Sequence, residues 1–321
     1  MATGAPYPRL VGDIGGTHAR FGWVQDAQSG VTAIDAFLCD DQAGLDGLVR
    51  RYLSAHGLAA PRSGAIGIAA PVGGDVVAMT NRDWTFSISD MQRRLGLDRL
   101  LVINDYAALA HALGGLRPDE VRQIGGGTAA AQAPLALLGP GTGLGVSGLL
   151  MAPGGRAPVV GEGGHVSLSA ADEREDRVVA ILRRRFGHAS AERALSGPGL
   201  VNLYAASCEL GGRPAEPLQP ADISARARLG DDADCRQAVD LFLGFLGSVA
   251  GDLALTLGAR GGVYIAGGIV VQLGDLVASS RLRERFEAKG RYRAYLEGIP
   301  TSLIVDASGL ALRGADAALE A

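Results

Sequence analysis

Three glycine-rich turns and a handful of carboxylates hold the chemistry open to this sequence. Gly12-Asp13-Ile14-Gly15-Gly16-Thr17, Gly141-Thr142-Gly143 and Gly267-Gly268 each follow a short apolar run. Backbone N–H groups in such turns form concave anion sites, because no Cβ stands between them and a phosphate oxygen. Any one of them could be an ordinary tight turn, but a nucleotide accounts for all three together. Gly12 to Thr17 would hold one phosphate group, with the Thr17 hydroxyl as an extra donor, and Gly141 to Gly143 a second. Gly267-Gly268 would let an adenine or ribose lie close to the backbone. Asp13 would face a phosphate-bound Mg2+, through water, since magnesium keeps much of its hydration shell.

The acids suggest what receives the phosphate. Asn104-Asp105 ends the apolar run Leu100 to Ile103, the crevice position where open α/β sheets place ligands. A carboxylate there can take the proton of an attacking hydroxyl, as in phosphoryl transfer. The competing role for Asp105 is N-cap of a helix starting at Tyr106. Gly161-Glu162-Gly163-Gly164-His165 sets a carboxylate and an imidazole among glycines. Such a pair can accept from and donate to a vicinal diol, and it lacks the Cys-rich partner or nearby second His of a metal site. On spacing alone Glu192 is a first-turn helix acid.

One nucleotide motif is excluded, and a second is a lone match in the wrong setting. A P-loop needs Gly-Lys followed by Ser or Thr, and the sole lysine, Lys289, precedes Gly290 and Arg291. Gly143, Gly145 and Gly148 match a dinucleotide pattern, with Glu162 at the distance of a ribose acid. That motif must open a helix, and here a short β-like run follows before Pro153-Gly154-Gly155.

These groups need a scaffold of alternating strands and helices. Leu10-Val11 and Ala19 to Val24 flank the first turn as a hairpin. Helical patterns cover Gly44 to Leu58, Ile88 to Leu97 (with Ser89 as N-cap) and Tyr106 to Leu113, and Gly64 to Ala70 is a buried strand. A second cycle opens at Leu135 to Leu138, turns through Gly139 to Gly145 and returns along Val146 to Met151. Helices are expected at Asp172 to Phe186, Ser190 to Cys208, Asp234 to Leu257 and Leu310 to Leu319, with strands at Val263 to Ala266 and Leu303 to Val305. The result is α/β, with two related units that each open on a phosphate-sized turn.

Composition agrees. The chain has 321 residues, 47% hydrophobic and 20% charged, with 48 glycines, enough for two domains or one large one. Net charge is −4, and Arg183, Arg184 and Arg185 lie among acids as a solvated helix face, so no nucleic-acid footprint is expected. Cys39, Cys208 and Cys235 offer neither metal spacing nor a disulfide framework, which fits a reducing compartment. Met1 to Arg9 has no apolar h-region, and Leu241 to Gly251 is far shorter than a membrane span and suits a buried helix. The expectation is a cytoplasmic protein with no membrane partner.

In order along the chain, LVGDIGGTHAR (10–20), MTNRDWTFS (79–87), INDYAAL (103–109), GPGTGLGV (139–146), GEGGHV (161–166), SAERALSGPGLVNLY (190–204) and YIAGGIV (264–270) closely resemble the bacterial glucokinase family of the actin-like ATPase and sugar kinase superfamily. The resemblance implies two ribonuclease-H-like α/β domains flanking a cleft, the small one formed by 1–114 plus 303–321 and the large one by 115–302. It implies ATP with Mg2+, transfer to the 6-hydroxyl of glucose with Asp105 as base, and Asn104, Glu162, His165 and Glu192 at the sugar. It matches Gly12 to Thr17 and Gly141 to Gly143 to phosphate loops and Gly267-Gly268 to the adenosine end, and implies a homodimer. The related zinc-bearing group has a cysteine cluster after its histidine; this chain has none there, so no zinc is expected. His18 stands where relatives often have Asn, and Ser308-Gly309-Leu310 departs from the family's turn. The alternatives are a kinase for another hexose, a sugar-responsive regulator without catalysis, or an NAD-dependent oxidoreductase.

Overall fold

A computed structural model describes residues 4–39, 44–79, 83–152, 155–307 and 309–320. Thirteen strands are seen among them: β1 (Arg9–Ile14), β2 (His18–Val24), β3 (Thr32–Leu38), β4 (Ser63–Ile68), β5 (Val76–Ala78), β6 (Thr85–Ser87), β7 (Arg99–Asn104), β8 (Val121–Ile124), β9 (Leu135–Pro140), β10 (Leu144–Ala152), β11 (Gly155–Val159), β12 (Gly262–Ile265) and β13 (Thr301–Ile304). The chain divides into one unit of residues 1–116, 151–160 and 307–321, and a second of 117–150 and 161–306.

The first unit is built on a five-stranded sheet in the order β3-β2-β1-β4-β7. β2 is antiparallel to both β1 and β3, whereas β1, β4 and β7 run parallel. Both faces are covered, as a parallel sheet requires. Leu10, Ile66 and Ile68 point to one side, in a core with Leu48 and Val49 of the helix Gly44–Ala55 and Met91 of the helix Ile88–Leu95. Val11 and Ala65 point to the other, against Leu312, Ala315 and Leu319 at the C-terminus. The helix Leu310–Ala318 lies on the helix Asp105–Ala112 through small residues, and Gly314 has no room for a Cβ beside the Ala108 carbonyl. The wholly buried Arg9 holds Asp316 at 3.0 Å, pairs with Glu320 and donates to the Ala5 carbonyl, fastening the chain start to that terminal helix.

The second unit repeats the plan. Within it the sheet runs β10-β9-β12-β13-β8, so β10, β9, β12 and β13 follow the same order of first appearance as β2, β1, β4 and β7 of the other sheet. β9, β12 and β13 are parallel, with β10 and β8 antiparallel to their neighbours. A helical layer is organised on Ala233–Leu257. By length and composition this 25-residue helix could cross a membrane, but its apolar window is 72% buried. Its hydrophobicity is satisfied by packing in the main core of the unit. Inside this layer Glu175 and Arg285, each almost fully buried, meet at 2.7 Å, with Ser248 accepting from Arg285 and the Ala171 N–H bonded to Glu175.

Several local expectations change. The helix Ile88–Leu95 is capped by Ser87, whose side chain accepts from the Asp90 N–H, not by Ser89. Ser190 to Cys208 is not one helix. A 3-10 turn at Ala191–Arg193 ends there, and Ser196 caps a new helix, Gly197–Leu210, with proline in its first turn, a Ser-then-Pro start that local sequence does signal. β3, β8 and β11 were not anticipated, and each has several exposed positions in place of a clear apolar run. Residues 303–306, expected in the small domain, group with the second unit, where Leu303 pairs with Arg122 and Ile304 with Val121. Residues 151–160, expected in the large domain, group with the first unit. Positions 80–82, 153, 154 and Ser308 lie outside the described residues.

Candidate functional site

In the first unit one line of strand register carries the candidate groups. Ile14 of β1 lies beside Ile68 of β4, and Ile68 beside Asn104 of β7. Two inter-strand steps put Ile14, within the Gly12–Thr17 stretch, roughly 10 Å from Asn104. The turn closes with the Gly15 N–H bonded to the His18 carbonyl at 2.9 Å, and the Thr17 carbonyl accepts from Cys39. A Cβ on Gly12 would press on Ile66 and Phe21 at 3.3 to 3.4 Å, so this glycine serves packing. Around Gly15 the nearest atom to such a Cβ is 3.6 Å away, leaving the backbone open to a ligand.

Asp13 has a partner that the sequence reading missed. Arg20 is its register neighbour across the hairpin and brings a guanidinium nitrogen to 3.8 Å. The signal was available, since a tight turn between two strands fixes which residues face each other. Burial pushes the Asp13 carboxyl above the usual aspartate range, with Arg20 opposing. A carboxylate short of solvation is well served by a cation. Among the described residues no cluster of three or more His, Cys, Asp and Glu is placed to hold a metal. One carboxylate fits magnesium brought by a nucleotide, which takes most of its ligands from phosphate and water.

The competing roles for Asp105 separate in the structure. Asn104 is the N-cap: its side-chain oxygen accepts from the N–H groups of Tyr106 at 2.9 Å and Ala107 at 3.3 Å. Asp105 occupies the first helical position, with Oδ1 2.9 Å from the Tyr106 N. Capping thus commits the Asn104 oxygen, while its amide nitrogen is 3.5 Å from the Ala70 carbonyl. Gly67 sets the depth of this helix start, since a Cβ there would lie 3.2 Å from the Ala108 methyl and 3.5 Å from the Asp105 Cα. Burial pushes the Tyr106 phenol far up, and the Asp105 charge adds to the shift.

The second unit gathers its groups around the β9–β10 turn. The Gly141 N–H bonds to the Gly143 carbonyl and the Gly141 carbonyl accepts from Gly197, both at 2.8 Å. Gly141 therefore shapes the turn instead of offering its N–H outward. Nothing lies within 4 Å of a Cβ placed on Gly141 or on Gly268, whereas Gly267, at φ 108°, sits against the Pro140 carbonyl without room for a side chain. The Gly267-Gly268 turn and the β9–β10 turn are thus adjacent. Gly163 and Gly164 press on Val146 and on the Leu144 carbonyl, in a 3-10 turn that carries Glu162 and His165 at its ends. This turn is laced to the one bearing Glu192 by Ala191 N–H to Val166 carbonyl, 2.9 Å. Glu192 is no solvated helix acid: its Oε2 accepts from the Leu144 N–H at 2.9 Å. Glu162, His165, Glu192 and the two turns of this unit therefore cluster about Pro140 to Leu144. The pattern Gly143, Gly145, Gly148 opens a strand, not a helix, which removes the dinucleotide reading.

The chain is similar to known proteins over nearly its whole length. A family model described as Glucokinase matches residues 10–321. A glucokinase of Aromatoleum aromaticum is 54% identical, spanning 100% of this chain and 97% of that protein. A glucokinase of Chromobacterium violaceum is 49% identical over 96% of this chain and 88% of its own. The crystal structure of a glucokinase from an Antarctic psychrotroph superposes with a TM-score of 0.90 at 35% identity, covering 97% of this chain and 98% of the other. A ROK-family glucokinase of Streptomyces griseus, solved with glucose and AMPPNP, shares the fold at a TM-score of 0.64 and 20% identity, over 97% and 98% of the two chains. The fold is that of the actin-like ATPase and sugar kinase class, and with a matching family model over nearly its whole length the chain belongs to the glucokinase family.

Proposed function

We propose that this protein transfers the γ-phosphoryl group of ATP to the 6-hydroxyl of D-glucose, giving glucose 6-phosphate and ADP. The observation that carries the reading is the register line Ile14, Ile68, Asn104. It fixes a phosphate-sized turn and a carboxylate on neighbouring ends of one rigid sheet, which is what in-line transfer demands of its scaffold.

Asp105 is the general base, taking the proton of the sugar hydroxyl as the phosphoryl group moves. Its pKa need not be raised, because in a loose transition state the hydroxyl gives up its proton late and positioning does most of the work. The Gly12–Thr17 turn and the residues Gly141 and Thr142 bind phosphates, and Gly267-Gly268 lies along the adenosine. Asp13 would hold Mg2+ through water, and the ion would neutralise phosphate charge. Asn104, Glu162, His165 and Glu192 bind glucose, the carboxylates accepting from sugar hydroxyls. Sugar that displaces water from the reacting phosphate also suppresses ATP hydrolysis. The enzyme works in the cytoplasm as a homodimer.

A coupled assay of the purified protein tests this, with a panel of hexoses against ATP, ADP and polyphosphate in magnesium. Glucose with ATP should give the highest kcat/KM. Preference for mannose, fructose or an N-acetylated hexose would replace the substrate, and no transfer to any sugar would sink the reading.

A further inference from the structure

By its sequence Gly143 is a phosphate-cradling glycine, yet its surroundings point elsewhere. A Cβ on Gly143 would stand 2.5 Å from Oε2 and 3.3 Å from Cδ of Glu192, with no other atom within 4 Å. The same Oε2 accepts from the N–H of the next residue, Leu144, at 2.9 Å. Gly143 is not among the glycines at positive φ, so backbone conformation does not demand glycine there. What a side chain there would meet is the carboxylate lying across the Cα, which would have to move. Gly141 contrasts: a Cβ there would project into open space. Glu192 is fixed from behind as well, its carbonyl accepting from the Ser196 hydroxyl at 2.9 Å while Arg193 N–H bonds to Ser190.

We propose that Gly143 and the Leu144 amide are positioning groups for the sugar-contacting carboxylate of Glu192, so that one turn serves the nucleotide at Gly141 and Thr142 and the sugar at Gly143. The inference rests on the reading of Glu192 as a glucose ligand. With Oε2 engaged by Leu144, Oε1 is the oxygen left to accept from the sugar. A methyl at Gly143 displaces the carboxylate, because a Cβ 2.5 Å from Oε2 can be accommodated only if that flexible side-chain end moves away.

The test is calorimetric titration of glucose alone, and of ADP with magnesium alone, into the wild type, Gly143→Ala, Gly141→Ala, Glu192→Ala, Glu192→Asp and Gly143→Ala/Glu192→Asp. Gly143→Ala should weaken glucose by roughly 10-fold or more and leave ADP within about twofold. Gly141→Ala should do the reverse. Shortening the side chain in Glu192→Asp opens room for the methyl, so the double variant should bind glucose no more weakly than Glu192→Asp alone. That non-additivity separates positioning from general damage, and Glu192→Asp by itself, losing glucose but not ADP, reports on the contact if Gly143→Ala does not fold. Loss of ADP affinity in Gly143→Ala with unchanged glucose affinity would overturn the inference. Unchanged glucose affinity in Glu192→Ala would instead remove Glu192 from the sugar site.

Discussion

The two sheets share one strand order and place a glycine turn at the same connection, yet the turns obtain their carboxylates differently. In β1–β2 the acid is local: Asp13 sits within the turn, faced by Arg20 through the hairpin register. In β9–β10 the turn has no acid, and Glu192 arrives from 48 residues downstream to bond the Leu144 N–H. A local acid is suited to a cation that comes with the phosphate. An imported one can face a different ligand, the sugar, while still touching the turn. The supports differ too. Behind Asp105 the first unit uses small residues, Gly67 under the helix start and Gly314 against Ala108, so backbones approach closely. The second unit fastens its helices with the buried Glu175–Arg285 pair. One device sets a distance; the other fixes an orientation.

Substitutions can break this comparison, and the largest effect should come at the strand end of the first unit. Asp105→Asn is expected to lower turnover by roughly 10²- to 10⁴-fold while calorimetry still detects glucose binding; appreciable residual phosphorylation would take the base role from Asp105. Next is the second unit's lock. Glu175→Ala leaves Arg285 buried and unpaired, and should cost about 3 to 5 kcal/mol in denaturant unfolding, with kcat per folded molecule little changed.

Gly314→Ala tests the close approach in the first unit. The added methyl meets the Ala108 carbonyl, so stability should fall by about 1 to 3 kcal/mol. Because the displaced helix begins at Asp105, turnover should fall more per unit of lost stability than in Glu175→Ala. Equal ratios in the two variants would erase the distinction between distance and orientation.

The smallest effect concerns Asp13. Its carboxyl is held above the usual range by burial, so the folded chain binds that proton more tightly than the unfolded chain. Stability therefore falls as pH rises from the ordinary aspartate value through the raised one. Asp13→Asn removes that fall. Its Tm should exceed that of the wild type at neutral pH, with the gap closing in acid, while magnesium-dependent activity drops. A wild-type Tm equal to or above the variant's at neutral pH would show that Arg20 fully offsets the burial.

Much of the scaffold was legible because its signals are local. Leu10-Val11 and the Gly12–Thr17 turn announce a hairpin, and Leu100 to Ile103 followed by Asn104-Asp105 announces a strand delivering polar groups into a crevice. Less was legible where pairing decides. β3 alternates exposed and half-buried residues because it is the edge of its sheet, so it has no apolar run to detect. The choice between Asn104 and Asp105 as cap turns on one position of helix start, which both side chains could satisfy. Glu192 had the composition of an ordinary helix acid, since nothing near it in sequence names Leu144 as its partner.

The amino-acid order by itself determined that there are glycine turns at strand ends, that no P-loop lysine exists, and that acids stand beside those turns. Periodicity and the missing Cβ of glycine act over a few residues and need no knowledge of the fold. Tertiary structure alone decided which carbonyl or carboxylate fills the space at each glycine: Ala108 at Gly314, Pro140 at Gly267, Glu192 at Gly143. Such contacts join segments far apart in the chain, and only packing brings them within van der Waals reach.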